Sequence, residues 1–174
     1  MESEKQLDNF ITRYGKDIYS FCLYLTKNRN EADDLYQDTF VRALEWHELP
    51  SEENAAKNLF LGTAIRLWKD KKRKYARQKR ITEDKFHPLV TLEAAAQSDT
   101  LLPEKQLLEQ ERRTIVRECV DKLPEKMKPV VLLYYMEERQ LNEISEILGI
   151  PLGTVKSRLH KAKKHLAEAL SDYQ

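Results

Sequence analysis

Apolar residues recur along this chain at intervals of three and four, the spacing that lays one buried stripe along a helix. Ile11, Tyr14, Ile18, Phe21, Cys22 and Leu25 define a first such stripe. Asn30, three residues before Asp33, is a candidate cap, because a side-chain oxygen there would accept a first-turn N–H and a nearby carboxylate complements the helix N-terminus. Ala32, Leu35, Tyr36, Phe40, Ala43 and Leu44 then form the stripe of a second helix, at about residues 31–46. Pro50 and Ser51 punctuate the chain, after which Ala56, Leu59, Phe60, Ala64 and Leu67 mark a third helix that runs into a lysine-rich end. Gly62 is expected to weaken that helix locally.

Residues 82–103 have no sustained period and carry His87-Pro88, Ser98-Asp99 and Leu101-Leu102-Pro103, the composition of a linker. The helical pattern resumes with Leu107, Leu108, Ile115, Val116, Cys119 and Val120, closes at Leu123-Pro124, and restarts with Val130, Val131, Leu133, Tyr134 and Met136. Residues 141–159 read as a helix-turn-helix: Ile144, Ile147 and Leu148 face inward, Gly149 supplies a left-handed turn residue, Ile150 plugs the angle, and Pro151 opens the second helix. Val155, Leu159, Ala162 and Leu166 bury that helix's inner stripe. The chain is therefore expected to be all-α, with two small helical domains, residues 1–81 and 104–174, joined by a linker at 82–103.

Composition agrees with that class: 4 Gly, 6 Pro, 34% charged residues and few β-branched runs favour helices joined by short connections. No stretch approaches the ~18 apolar residues that span a bilayer, and the first ten residues are acidic and polar, so membrane insertion is not expected and a cytoplasmic location is. Cys22 and Cys119 both sit at apolar positions of helical stripes, where a thiol packs as a small hydrophobe instead of forming a disulfide or a metal pair.

The net charge of +1 hides a segregation that changes the picture. Residues 1–60 hold 7 Lys/Arg against 12 Asp/Glu, whereas residues 61–81 hold 9 against 1. Residues 150–174 are basic again, with 5 against 2. Two cationic blocks far apart in sequence imply two contacts with a polyanion. In the second block, Thr154, Lys156, Ser157, Arg158, His160, Lys161 and Lys164 lie opposite the apolar stripe, where they would reach phosphates and base edges if the helix entered a major groove. A lysine-rich face opposite an apolar stripe is also what any solvated helix shows, so the second block upstream is what favours nucleic acid. No nucleophile–base pair or metal-ligand motif appears among His47, His87, His160 and His165, so neither enzymatic activity nor a cofactor or metal is expected.

The run Ala32-Asp33-Asp34-Leu35-Tyr36-Gln37-Asp38-Thr39-Phe40-Val41-Arg42-Ala43 resembles the A-[ED]-D-L-x-Q-[ED]-[TA]-F-x-[RK]-A motif of region 2.2 of the sigma-70 superfamily. Residues 59–73 resemble the following regions 2.3 and 2.4, W-L-x-x-I-A-x-N-x-x-[IL]-D-x-x-R: Ala64, Asp70 and Arg73 agree, while Leu59 replaces Trp, Thr63 replaces Ile and Arg66 replaces Asn. Residues 141–159 are similar to region 4.2, L-x-E-I-A-x-[IV]-L-G-[IV]-P-x-G-T-V-K-S-R-[LI], with Ser145 in place of Ala. The resemblance implies an RNA polymerase sigma factor of the extracytoplasmic-function type, with core polymerase, promoter DNA and an anti-sigma factor as partners. It implies that Asp33, Asp34, Leu35, Gln37, Asp38, Phe40 and Arg42 grip the clamp coiled coil of polymerase, whose flap is also contacted. It further implies that Asn58, Leu59, Phe60, Arg66, Lys69, Lys71, Lys72, Arg73 and Lys74 meet the downstream promoter element. The upstream element falls to Thr154, Lys156, Ser157, Arg158, His160, Lys161 and Lys164. A stand-alone helix-turn-helix regulator is the alternative, and it leaves the carboxylate-bearing surface unexplained.

Overall fold

The structure, a computed structural model, describes residues 2–82 and 103–173. Every regular element among them is helical: α1 (Glu2–Leu25), α2 (Arg29–Ala43), α3 (Glu53–Thr82), α4 (Glu104–Asp121), α5 (Lys128–Val131), α6 (Leu141–Leu148) and α7 (Leu152–Ser171). The body of the expected linker lies outside the described residues, which keep only its two ends, Thr82 in α3 and Pro103 ahead of α4.

Helices α1, α2 and α3 pack against one another as an N-terminal unit. Its centre is Phe60, fully buried, with Phe10 stacked on it at 4.2 Å between ring centroids, Trp46 edge-on at 4.9 Å and Phe40 at 5.1 Å. Phe60 was expected at a DNA surface; instead it is the hub of an aromatic core and presents nothing to a ligand. The same holds for Leu35, expected at a polymerase contact but enclosed between helices at 1% exposure. The first stripe also differs from expectation. α1 starts at Glu2 and buries Leu7 and Phe10, while Ile11 is exposed, because Phe10 already fills the position over Phe60.

The cap of α2 is Asn28, not Asn30. Its side-chain oxygen accepts the Glu31 N–H at 2.8 Å, and the Glu31 carboxylate in turn accepts the Lys27 N–H at 3.3 Å, a reciprocal arrangement that satisfies two donors and starts the helix two residues early. α3 runs unbroken through Gly62 for 30 residues.

The C-terminal unit gathers α4, α5, α6 and α7 around Val130, Leu133, Ile144, Val155, Leu159 and Ala162. The segment expected as one helix from Val130 is split: α5 passes into a π turn at Leu132–Met136, followed by Glu138 with φ +53°. The stripe of α4 is buried only at its end, in Cys119 and Val120, whereas Leu107, Leu108 and Val116 face outward. Burial drives the Cys22 thiol, in the N-terminal unit, up to about 12. The two units touch, α6 lying against α3 and the π turn and α4 against α1. No helix among the described residues is long and apolar enough to cross a membrane.

Candidate nucleic-acid and partner interface

Three surfaces carry the residues singled out from the sequence. The first is α2. Ala32, Leu35, Thr39 and Ala43 point inward, Thr39 by returning its hydroxyl to the Leu35 carbonyl at 2.7 Å, so the opposite side shows Asp34, Gln37, Asp38 and Arg42 to solvent. Asp33 is half-buried and accepts a hydrogen bond from the Tyr19 hydroxyl, which holds that phenol above its usual range. Phe40 is half-buried against Tyr36 and Phe60. Arg42 pairs with Glu45 at 2.9 Å.

The second surface is the distal half of α3, which the structure divides into engaged and outward cations. Lys71 pairs with Asp38 of α2 at 2.7 Å, joining the carboxylate face to the basic helix. Lys72 pairs with Glu125 of the C-terminal unit at 3.0 Å and lies 4.6 Å above the Trp68 ring. Lys69 is half-buried; desolvation lowers its pKa, and the neighbouring cations Arg158 and Arg73 add to the effect. Arg66, Arg73 and Lys74 are exposed. Asn58 and Leu59 are half-buried, and the Asn58 Oδ1 is enclosed with no hydrogen-bond partner among the described residues.

The third surface is the helix-turn-helix. Gly149 adopts φ +64°, ψ 35°, a left-handed conformation in which its N–H reaches the Glu146 carbonyl. The turn is pinned by the Ser145 hydroxyl donating to the Ile150 carbonyl at 2.6 Å and the Ile150 N–H donating back to Ser145 at 3.2 Å. Ser145 is thus a structural gain of this chain, where the sequence shows only a small polar substitution. Val155, Leu159 and Ala162 seat α7 on the core, leaving Lys156, Ser157, His160, Lys161 and Lys164 exposed and Thr154 and Arg158 half-buried.

Sequence reasoning missed the residues that join the two units. Lys57 of α3 pairs with Glu137 at 2.9 Å, their side chains 16% and 4% exposed, and also reaches Asp17 at 3.3 Å. Arg117 of α4 donates to the Leu23 carbonyl at 3.0 Å. Lys128 is buried and pairs with Asp121 at 3.0 Å, yet desolvation still holds its pKa below the ordinary value. Also unforeseen is an apolar groove of about 660 Å³ lined by Tyr24, Val116, Val131, Tyr135, Leu166 and Leu170. Its wall was legible in part as the excess of apolar residues on α4.

An all-helical chain with a helix-turn-helix at one end, a cationic helix at the other and a carboxylate face beside it is the outline of a DNA-directed, multi-contact transcription protein. Models of the families described as Sigma-70 region 2 and Sigma-70, region 4 match residues 10–78 and 113–166. The ECF RNA polymerase sigma factor SigW of Bacillus subtilis (strain 168) is 31% identical over 160 residues, covering 91% of this chain and 86% of the relative. The ECF RNA polymerase sigma-E factor of Haemophilus influenzae is 26% identical, covering 92% and 85%. The fold matches the sigma factor RpoE in complex with the anti-sigma factor NepR from Bartonella quintana, with TM-score 0.72, 19% identity and 96% and 98% coverage. It also matches CnrH in complex with the cytosolic domain of CnrY, with TM-score 0.59, 17% identity and 98% and 91% coverage. The chain belongs to the sigma-70 family, as an extracytoplasmic-function RNA polymerase sigma factor. Two matched regions, one upstream of the helix-turn-helix, favour the sigma factor over the stand-alone regulator.

Proposed function

We propose a division of labour in which α2 docks on core RNA polymerase, α3 meets the downstream promoter element, and α7 reads the upstream element. The observation that carries this reading is the sidedness of α2: its apolar residues are consumed by packing on α1 and α3, which leaves Asp34 and Gln37 in solvent beside Asp38 and Arg42, exposed themselves and held by ion pairs with Lys71 and Glu45. Leu35 and Phe60 leave the set of contact residues and act by holding α2 and α3 in place. Lys156, Ser157, His160, Lys161 and Lys164, with the first turn of α7, form the upstream surface; Arg66, Arg73 and Lys74 form the outward part of the downstream one. The sigma factor RpoE, whose fold this chain shares, was captured with the anti-sigma factor NepR, and we infer the same class of partner here. A division of the chain at residues 1–81, 82–103 and 104–174 serves these roles.

Asp34→Lys should abolish co-purification with core polymerase while far-UV circular dichroism is unchanged, because the side chain is exposed. Retained binding removes α2 from the polymerase contact. Lys161→Ala should weaken upstream-element binding by about 1–3 kcal/mol if it meets a base, whereas a uniform loss across sequences assigns it to phosphate. Failure of core polymerase to gain start-site selectivity when supplied with the chain overturns the reading as a whole.

A further inference from the structure

The outer face of α2 carries an apolar patch that folding does not use. Val41 is 60% exposed and Leu44 65%, although the apolar spacing places Leu44 on the inner stripe. At about 100° per residue, the buried Ala32, Leu35, Thr39 and Ala43 all lie about 120–200° around the helix from Val41, which therefore points directly away from the core. Leu44 closes α2 in helical geometry, its N–H bonded to the Phe40 carbonyl at 3.2 Å. It stands one turn beyond Val41 and about 60° around from it, the spacing at which two helical side chains meet. Asp34, Gln37 and Asp38 fall within about 60° of Val41 as well.

No rule of helix formation accounts for Val41. A β-branched side chain in a helix gives up rotamer freedom against the preceding turn, and in solvent little packing offsets that loss. The charged groups around it are differently placed. Asp38 is held by Lys71 at 2.7 Å and Arg42 by Glu45 at 2.9 Å, in exposed pairs that contribute little to stability, while Asp34 makes no ion pair among the described residues. The face thus has an apolar centre ringed by carboxylates, an amide and a guanidinium. That is the anatomy of a binding hot spot, in which the ring excludes water from a desolvated centre.

We propose that Val41, with Leu44 beside it, is the apolar anchor of the α2 docking face, and that core RNA polymerase receives it in an apolar hollow rimmed by cations. The inference rests on the assignment of α2 to polymerase, and adds which side chains supply the affinity. Continuity with the carboxylates fixes the occupant, because a partner cannot cover Val41 without also meeting Asp34 and Asp38. Those two acids orient the partner and speed its arrival, and burial of the apolar pair holds it. Fully burying one such side chain is worth about ten- to a hundredfold in affinity, well above a charge pair at an exposed rim.

The full chain, labelled with a fluorophore, is titrated with core polymerase and followed by anisotropy, alongside Val41→Thr, the double variant Val41→Thr with Leu44→Ser, and Asp34→Asn. Threonine keeps the branched shape and a similar helix propensity, so far-UV circular dichroism should not change. Val41→Thr should weaken binding about tenfold and the double variant about a hundredfold. Both losses should persist as ionic strength rises, whereas the smaller loss in Asp34→Asn should fade as charges are screened. Affinities of Val41→Thr and the double variant within about twofold of the unmodified chain overturn the anchor. Losses that fade with salt alongside that of Asp34→Asn overturn it too, since charge and not burial would then supply the affinity. If Asp34→Lys abolishes binding while Val41→Thr keeps it, α2 remains the polymerase contact and only the anchor falls; binding retained in Asp34→Lys removes the docking face itself.

Discussion

The two halves of the molecule are stabilised in different ways. The N-terminal unit is knit by aromatic rings, Phe10, Phe40 and Trp46 converging on Phe60 and Tyr19 meeting Tyr36 edge-on, with both tryptophans, Trp46 and Trp68, inside it. The C-terminal unit has a smaller aliphatic core, an irregular π turn and, closed on one side by Tyr24 of α1, an open apolar groove lined by Val116, Tyr135 and Leu170. A unit that must keep one carboxylate face in register needs a rigid interior. A unit proposed to reach DNA with one side has an apolar groove on another, and contiguous apolar surface of that kind is what a partner contact uses.

The largest expected effect tests the first half of that contrast. Phe60→Ala removes the ring on which three others rest, and should destabilise the N-terminal unit by about 3–5 kcal/mol. Because Trp46 contacts Phe60, tryptophan fluorescence followed through urea denaturation reads this unit directly. A loss of under about 1 kcal/mol, the level of an ordinary substitution, would show that the aromatic hub is not what holds α1, α2 and α3 together.

Ile144→Ala tests the other half. Ile144 is fully buried under the helix-turn-helix, and its truncation should cost the C-terminal unit about 2–5 kcal/mol. Far-UV circular dichroism should record an early loss of helix while the tryptophan transition moves by no more than about 0.5 kcal/mol, the scatter of a distant neutral change. Both signals moving together would mean that the Lys57–Glu137 contact welds the units into one folding body, and the contrast would have to be withdrawn.

What the sequence disclosed obeys the same division between local and distant. Helix existence, the turn at Gly149 and the inward positions Val155, Leu159 and Ala162 were legible because each is set by neighbours three or four residues away. The cap was misplaced by two residues because Asn28 and Asn30 are both able caps, and only the reciprocal Glu31 contacts choose between them. Phe60 and Leu35 were assigned to surfaces by motif position, although apolar side chains at helical spacing are claimed first by the core. Nothing local announces the Lys57–Glu137 pair or the seat of Ile147 on Gly62, since those partners lie 80 and 85 residues apart in the numbering and are joined only by the fold. The π turn is equally silent, for a run such as Leu132-Leu133-Tyr134-Tyr135-Met136 suits an α-helix as well.

The smallest effects sharpen the comparison inside the C-terminal unit, where two glycines four residues apart should respond with opposite signs. At neither Gly149 nor Gly153 would an added Cβ meet any atom within 4 Å, so packing drops out and only the backbone decides. Gly149 holds φ +64°, where a Cβ crowds the following carbonyl, and Gly149→Ala should destabilise by about 1–2 kcal/mol. Gly153 lies inside α7 with no positive φ, and Gly153→Ala should instead stabilise by about 0.4–1 kcal/mol through the reduced freedom of the unfolded chain. Thermal unfolding monitored at the helical signal measures both. Equal losses at the two positions would indicate that the first turn of α7 requires conformational freedom as well as the left-handed bend before it, and the rigid docking of the helix-turn-helix on its core would then be the part of the structure to revise.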